Sequence, residues 1–257
     1  MTYQTEKYVV AFIDILGSAK KIRDDSEKSL NVVHTVYENA LASCEKIYDN
    51  EAIKKLKPMV RIFSDNIVIA VPTKETDGFS AFNSIAILSG LIQHEFLQYR
   101  YLVRGGIAMG NFFADDTMLW GDALLDAYYV ESNVSIYPRI VVHPETVGKL
   151  NLATNEKRQK WIKQDNDGLF FVDYMQKTAF KDNYIHLLLY RINECEILLA
   201  EATDVKSKQK VLWHNTYLNS KLDIYSPEYS KILAHEIKKL EAKTREVEQR
   251  SKSLKAN

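Results

Sequence analysis

The chain opens on an almost unbroken apolar run, Tyr8 to Ile15, interrupted only by Asp14. It is short and rich in β-branched residues, and Gly17 follows it, so it predicts a buried strand over residues 8–15. From about Ser18 to Ile53 the period becomes helical. Leu30, Val33, Val36, Tyr37, Ala40, Leu41 and Cys44 recur three and four apart, with a candidate break at Asp24–Ser26. Pro58 ends this region. Residues 59–63 and 66–72 are two more short apolar runs around Ser64-Asp65-Asn66 and predict a hairpin. Residues 78–99 predict a second helix, with Phe79, Phe82, Ile85, Ala86, Leu88 and Leu91 apolar. Tyr101–Met109 reads as a strand whose Gly105-Gly106 marks a bulge or a close backbone approach, with Phe112–Ala114 as its hairpin partner. Gly121 precedes a third helix over about 122–132, and Arg139–Val142 reads as a short strand.

This order, β-α-ββ-α-β(β)-α-β, is that of a ferredoxin-like α+β core: a mainly antiparallel sheet with helices on one face. The pattern then changes. Residues 144–167 are polar with a short helix expected around 154–163, Gly168–Tyr174 adds a strand, and from 182 the period is helical. The division expected is a core over 1–143 and a mostly helical C-terminal extension over 144–257 packing on it. Within the extension, 227–253 spaces Ile232, Leu233, Ile237, Leu240 and Val247 near a heptad rhythm, as in an amphipathic helix packed on its own domain.

Composition narrows the classes. The 257 residues, 46% hydrophobic, allow one large domain or one domain with an added part. Lys+Arg and Asp+Glu both count 34, so there is no global basic field and no nucleic-acid partner is expected. Cys44 and Cys195 form neither a metal-ligand spacing nor a disulfide framework, which fits reduced thiols and a cytoplasmic location. The first residues lack the apolar core of a signal peptide. No apolar run approaches the roughly 20 residues of a membrane span, and the longest, over 185–200, is broken by Arg191, Asn193, Glu194 and Glu196. The six histidines show no metal-ligand grouping.

Two aspartates carry the chemistry. Asp14 and Asp65 each close an apolar run, and a carboxylate at the edge of a buried strand is better placed to hold a hard cation than to stabilise a fold. On neighbouring strands the pair builds a two-metal site for phosphoryl or nucleotidyl chemistry; the competing reading is an ordinary turn-capping Asp. Alternation puts Arg61, Phe63 and Asp65 on one side of their strand, with Phe12 likewise two residues before Asp14. Arg61, whose donors match a base carbonyl, is otherwise a surface strand residue, and the two Phe rings are otherwise core. Gly17 and Ser18 lead into a helix start where backbone N–H groups can face phosphate, and Arg104 can neutralise phosphate charge. Tyr128 and Tyr129 read as helix-core residues first, with a hydroxyl contact to ribose or phosphate as the alternative.

Four blocks in order carry a resemblance: Phe12-Ile13-Asp14-Ile15-Leu16-Gly17, Ser64-Asp65, Arg104-Gly105-Gly106-Ile107-Ala108-Met109-Gly110, and Trp120-Gly121-Asp122-Ala123. The chain resembles the class III nucleotidyl cyclases over roughly residues 8–142. Gapless counting puts Arg61 and Met118 where purine cyclases of this class carry a base-reading Lys and Asp. It puts Leu125 and Tyr129 where they carry a transition-state Asn and Arg. The bacterial pyrimidine cyclases of the Pycsar anti-phage systems are more similar. The shared blocks are Gly121–Tyr128, Pro138-Arg139-Ile140, Asp167-Gly168 with Phe171-Val172-Asp173-Tyr174, and Lys210 with Trp213, Tyr217 and Asn219.

That resemblance implies a homodimer with composite sites that makes cyclic UMP from UTP, or cyclic CMP from CTP, using two Mn²⁺ or Mg²⁺ per site. It implies Asp14, Asp65 and the carbonyl of Ile15 as metal ligands, with Phe12, Gly17, Ser18, Arg61 and Arg104 facing substrate. The product would activate a separate effector, and no membrane insertion is expected. A purine cyclase, or a degenerate cyclase domain sensing nucleotide, are the rival readings. A diguanylate-cyclase or polymerase-palm relative is more distant, since no acid follows Arg104-Gly105-Gly106-Ile107.

Overall fold

The structure, a computed structural model, describes residues 3–47, 58–73, 78–156, 160–176, 183–222 and 231. Its centre is β1 (Glu6–Leu16), which pairs antiparallel with β3 (Asn66–Pro72) on one side and β4 (Leu102–Ala114) on the other. β2 (Met59–Phe63) pairs antiparallel with β3. The order β4-β1-β3-β2 is therefore the ferredoxin-like arrangement that the element order predicts.

The expected break in the first helical region is real. α1 (Ser18–Asp24) ends at the extended Asp25, and α2 (Ser26–Ile47) follows. α2 and α3 (Phe79–Gln98) pack together on one face of the sheet over Val9, Ala11, Ile13, Ile67, Ile69 and Val71. α3 is buried on almost every side, because α6 (Tyr184–Glu201) and β8 (Phe170–Val172) also lean on it. The short helix α4 (Asp122–Tyr129) lies across the opposite face, over Val10, Phe12, Val68, Ala70 and Ala108. Alternation along β1 sends odd-numbered residues to the large core and even-numbered ones, Asp14 among them, to the α4 face.

Several expectations change. Phe112–Ala114 is not a hairpin partner but the continuation of β4. The partner is β5 (Leu119–Trp120), paired with Phe113 and Ala114. Gly105-Gly106 makes no bulge, since the β1–β4 register runs through it unbroken. It is a close approach: a Cβ on Gly106 would stand 2.1 Å from the Ala127 carbonyl oxygen of α4. The helical segment after Gly121 turns from α into a π-turn over Val130–Val134. The polar stretch after β6 (Ile140–Val142) holds α5 (Pro144–Lys149), begun by a proline at its first turn. Further on, the short helix expected around 154–163 falls partly outside the described residues, and its far end is strand β7 (Ile162–Gln164).

β6 joins β4 in parallel, and β8 and β7 continue the same sheet antiparallel. α6 and α7 (Val205–Asn219) close the described chain. Arg139, before β6, is buried and pairs with Asp165 and Asp167, and its guanidinium lies over the rings of Trp213, Phe171 and Tyr137. Trp213 donates to Asp165 (3.2 Å) and Tyr217 to Asp173 (2.7 Å), so two polar ties fix α7 against the β7–β8 end of the sheet. His94 and His214 are buried and hydrogen-bonded to Arg191 and Tyr174 respectively, and burial lowers them to about 3 and about 4. Both cysteines are buried, and neither is in a disulfide among the described residues. The near-heptad segment lies outside the described residues, apart from Lys231.

Candidate active site

The site forms where β1, β3 and β4 end together. Antiparallel register sets Phe63, Asn66, Asp14 and Arg104 in one cross-strand row on the α4 face, and Arg61, Val68, Phe12 and Gly106 in the next. Asp65 sits in the β2–β3 turn, which closes because Ser64 adopts a left-handed φ of 56°. The turn is tied to β1 by the Ile15 N–H, which donates to the Asp65 carbonyl at 3.0 Å. The two sequence-predicted carboxylates are thus brought together, near enough that Asp65 acts on the ionisation of Asp14.

Each carboxylate has different company. Asp65 accepts from the Ser18 hydroxyl (2.5 Å) and from the Asn66 amide (3.1 Å). Ser18 is therefore an Asp65 partner, buried behind it, and α1 is too short to add much of a dipole. Gly17 caps α1 at a left-handed φ of 71°. Asp14 pairs with Arg104 through Nε at 3.3 Å. The same Nε lies 2.8 Å from Oε1 of Glu131, which is neutralised without an aligned hydrogen bond. Glu131 is buried, and Ser132 donates to its other oxygen at 2.6 Å.

One guanidinium therefore serves two carboxylates, with a third close by. Burial pushes Asp14 up from the usual aspartate value, Arg104 pulls it down, and Asp65 pushes it up further. Burial likewise raises Glu131. Such an acid-rich end favours a cation. Among the described residues no cluster of three or more His, Cys, Asp or Glu side chains is arranged to hold a metal ion. The available donors are two carboxylates, backbone carbonyls and hydroxyls, all hard oxygens of the kind Mg²⁺ and Mn²⁺ take. Ile15, expected to offer its carbonyl, has its side chain in the core and pairs with Val103 on β4.

Toward β2 the row becomes aromatic. Phe12 is buried and makes edge contacts with Tyr128 (5.3 Å between centroids) and Phe63 (6.2 Å). Phe63 and Tyr128 are themselves about half exposed, and Tyr129 more so, which overturns the core reading of both tyrosines. Leu125 is also exposed. Arg61 is exposed on the edge strand, 3.7 Å from Asp116 in the β4–β5 loop. That loop also carries Met118, exposed and lining a cleft with Tyr3, Phe113 and Trp120 that does not include Arg61.

Two residues were not placed in the site by the sequence reading. Glu131 continues the buried stripe of Ala123 and Ala127 at four-residue spacing, but its charge makes it read as a surface position. Lys210, on α7, is half-buried and its charge acts on Asp14, Glu131 and Arg104. Nothing local in the sequence says where α7 docks.

No protein-family profile matches the sequence, and no curated protein matches it. Among solved structures the chain is similar to the adenylyl cyclase CyaB from P. aeruginosa, at 16% identity over 67% of this chain and 96% of that one, with a TM-score of 0.47. It is also similar to the monomeric guanylyl cyclase domain of the RhoGC fusion protein from Blastocladiella emersonii (17%, 66% and 98%, 0.42). A third is an adenylate/guanylate cyclase/hydrolase from Silicibacter pomeroyi (14%, 66% and 96%, 0.41). With identities below one fifth and TM-scores below one half, these likenesses leave the chemistry to be argued from the site itself.

Proposed function

We propose that the chain is a nucleotidyl cyclase that converts UTP to 3′,5′-cyclic UMP and pyrophosphate. The observation that carries this reading is the meeting of Asp14 and Asp65 at one end of the sheet, where Arg104 pairs with Asp14 and Glu131 while Asp65 stands close by. The donor set fits two divalent cations, Mn²⁺ or Mg²⁺, held by Asp14, Asp65 and the Ile15 carbonyl. When bound, they supply Lewis acidity that makes the substrate 3′-hydroxyl a nucleophile near neutral pH and offsets the triphosphate charge. The 3′-oxygen then attacks the α-phosphorus in line, its proton passes to solvent, and the bond to the β-phosphate oxygen breaks. Arg104, anchored by Glu131, faces the charge that develops. Gly17 and Ser18 border the phosphate end.

Arg61, Phe12 and Phe63 supply the base end. Arg61 donors suit a uracil carbonyl and the neighbouring Asp116 suits the N3–H. The same pair also suits the N3 and amino group of cytosine, which makes CTP the second reading. The pyrimidine choice is supported by Met118 standing where a purine-reading acid is expected. In this reading residues 1–143 form the catalytic core and 144–257 an extension packed on it. Two copies pair through the exposed α4 side to give composite sites. The resemblance to the Pycsar cyclases supports a cytoplasmic enzyme whose product activates a separate effector in anti-phage defence. Among the described residues no helix is long and apolar enough to cross a membrane.

The test is incubation with each of the four NTPs and Mn²⁺, with products separated by chromatography. Cyclic UMP with stoichiometric pyrophosphate from UTP is expected. Product from ATP or GTP alone overturns the pyrimidine assignment. No turnover of any NTP, with Asp14→Ala binding nucleotide as well as wild type, overturns the enzyme reading.

A further inference from the structure

A cleft of about 330 Å³ opens at the ends of β1 and β4, one pleat repeat beyond the Asp14–Arg104 pair. Its lining includes the register partners Leu16 and Leu102, Gly17 and Lys20 from the start of α1, and Ser207 and Lys210 from α7. Other charged groups in the cleft are already engaged. Lys21 donates to the Arg100 carbonyl at 2.7 Å and lies over the Tyr101 ring at 3.4 Å. Arg100 pairs with Glu194 and, at 3.6 Å, with Glu201. Asp204 caps α7 by accepting from the Ser207 N–H at 2.9 Å.

Lys210 is different. It is half-buried, yet among the described residues it makes no hydrogen bond and no ion pair. Burial lowers it from the ordinary lysine value, and Arg104 repels it further. A desolvated ammonium without an acceptor is costly unless an anion completes it. Its place is not accidental slack. Val211 beside it is buried, and Trp213 and Tyr217, three and seven residues on, are among the side chains that tie α7 to the sheet.

We propose that Lys210 binds the β- and γ-phosphates of the nucleotide in this cleft, so that the C-terminal helices complete the catalytic site of their own chain. The inference rests on the nucleoside-triphosphate reading above. With the cations and Asp14 at the α-phosphate, the cleft lies where the leaving pyrophosphate would extend, and Lys20 at its rim, with no ion pair among the described residues, adds a second cation. Lys210 also supplies positive charge that α4 does not, since Leu125 and Tyr129 stand at the counted Asn and Arg positions.

The test compares wild type with Lys210→Ala, Lys210→Arg and Lys206→Ala, the last an exposed control one turn away on α7. A charge-assisted phosphate contact implies roughly a tenfold or greater loss for Lys210→Ala in kcat/KM for the nucleotide. Inhibition by pyrophosphate should weaken by a similar factor, Lys210→Arg should recover much of both, and Lys206→Ala should match wild type. Thermal unfolding of Lys210→Ala and Lys210→Arg should stay close to wild type, which separates a phosphate contact from a packing role. If Lys210→Ala keeps wild-type kcat/KM and pyrophosphate inhibition, the inference fails while the cyclase reading stands. If wild type cyclises no NTP, the cyclase reading fails. Calorimetric binding of inorganic tripolyphosphate to wild type and Lys210→Ala then decides the cleft by itself, equal affinity overturning the role of Lys210.

Discussion

Asp14 is set between opposing fields, and its ionisation should be visible in the pH dependence of the reaction. A carboxyl raised above its unfolded value stays protonated to higher pH, and only the ionised form can ligate a cation. Activity should therefore fall as pH drops through a value above the ~3.9 of an unperturbed aspartate. Arg104 is the lowering influence, so Arg104→Met should move this acid limb upward, with Arg104→Lys intermediate. A pH profile of kcat/KM measures it; an unmoved limb would detach Arg104 from Asp14. The linkage has the matching sign for stability. Ionising a group with a raised folded pKa costs the fold as pH rises, so Asp14→Asn should unfold at a higher temperature than wild type at pH 7 while losing activity. Both aspartates were legible in the sequence because each interrupts an apolar run with a charge. Glu131 and Lys210 were not, because a charged residue on a helix face reads as solvated and because the docking of α7 is set across the whole chain.

The close contact between β4 and α4 is a property of two elements rather than of one residue. At Gly106 an added Cβ would meet the Ala127 carbonyl oxygen at 2.1 Å and the Val130 Cβ at 2.7 Å. Backbone cannot step aside as a flexible side chain does, so Gly106→Ala must lift α4 from the sheet. Overpacking of this kind typically costs about 1–3 kcal/mol. Urea titration should show that loss, together with reduced kcat/KM, since α4 carries Tyr128 and leads into Glu131. Unchanged stability would mean that α4 is free to shift. The double glycine announced this approach in the sequence, although not its partner. The long helices and the β2–β3 hairpin were legible for a related reason: each holds enough residues to show a period. β5 and β7 hold two or three residues each and show none, whereas β8 lies within the strand expected over 168–174. α5 carried its proline and first-turn acid in plain view, but polar surroundings masked them.

At the scale of the molecule, the α4 side leaves Trp120, Leu125, Tyr128 and Tyr129 exposed together with Met118. Apolar side chains grouped beside a polar site suit a self-association surface. If the proposed homodimer forms through this surface, Leu125→Glu with Tyr129→Glu should yield a monomer by light scattering and abolish cyclase activity, while the circular dichroism of the fold is retained. A fully active monomer would remove the composite-site arrangement. The sheet itself separates the two halves of the site. β1 is paired along its length by β3 and β4, whereas β2, carrying Arg61 and Phe63, borders only β3 among the described residues. An edge strand accepts substitution more readily than a central one, so mutations can retune which base is admitted while Asp14 stays locked at the centre. Descendants of such a chain can inherit one reaction and drift among substrates, and a library randomised only along β2 is the place to look for altered nucleotide choice.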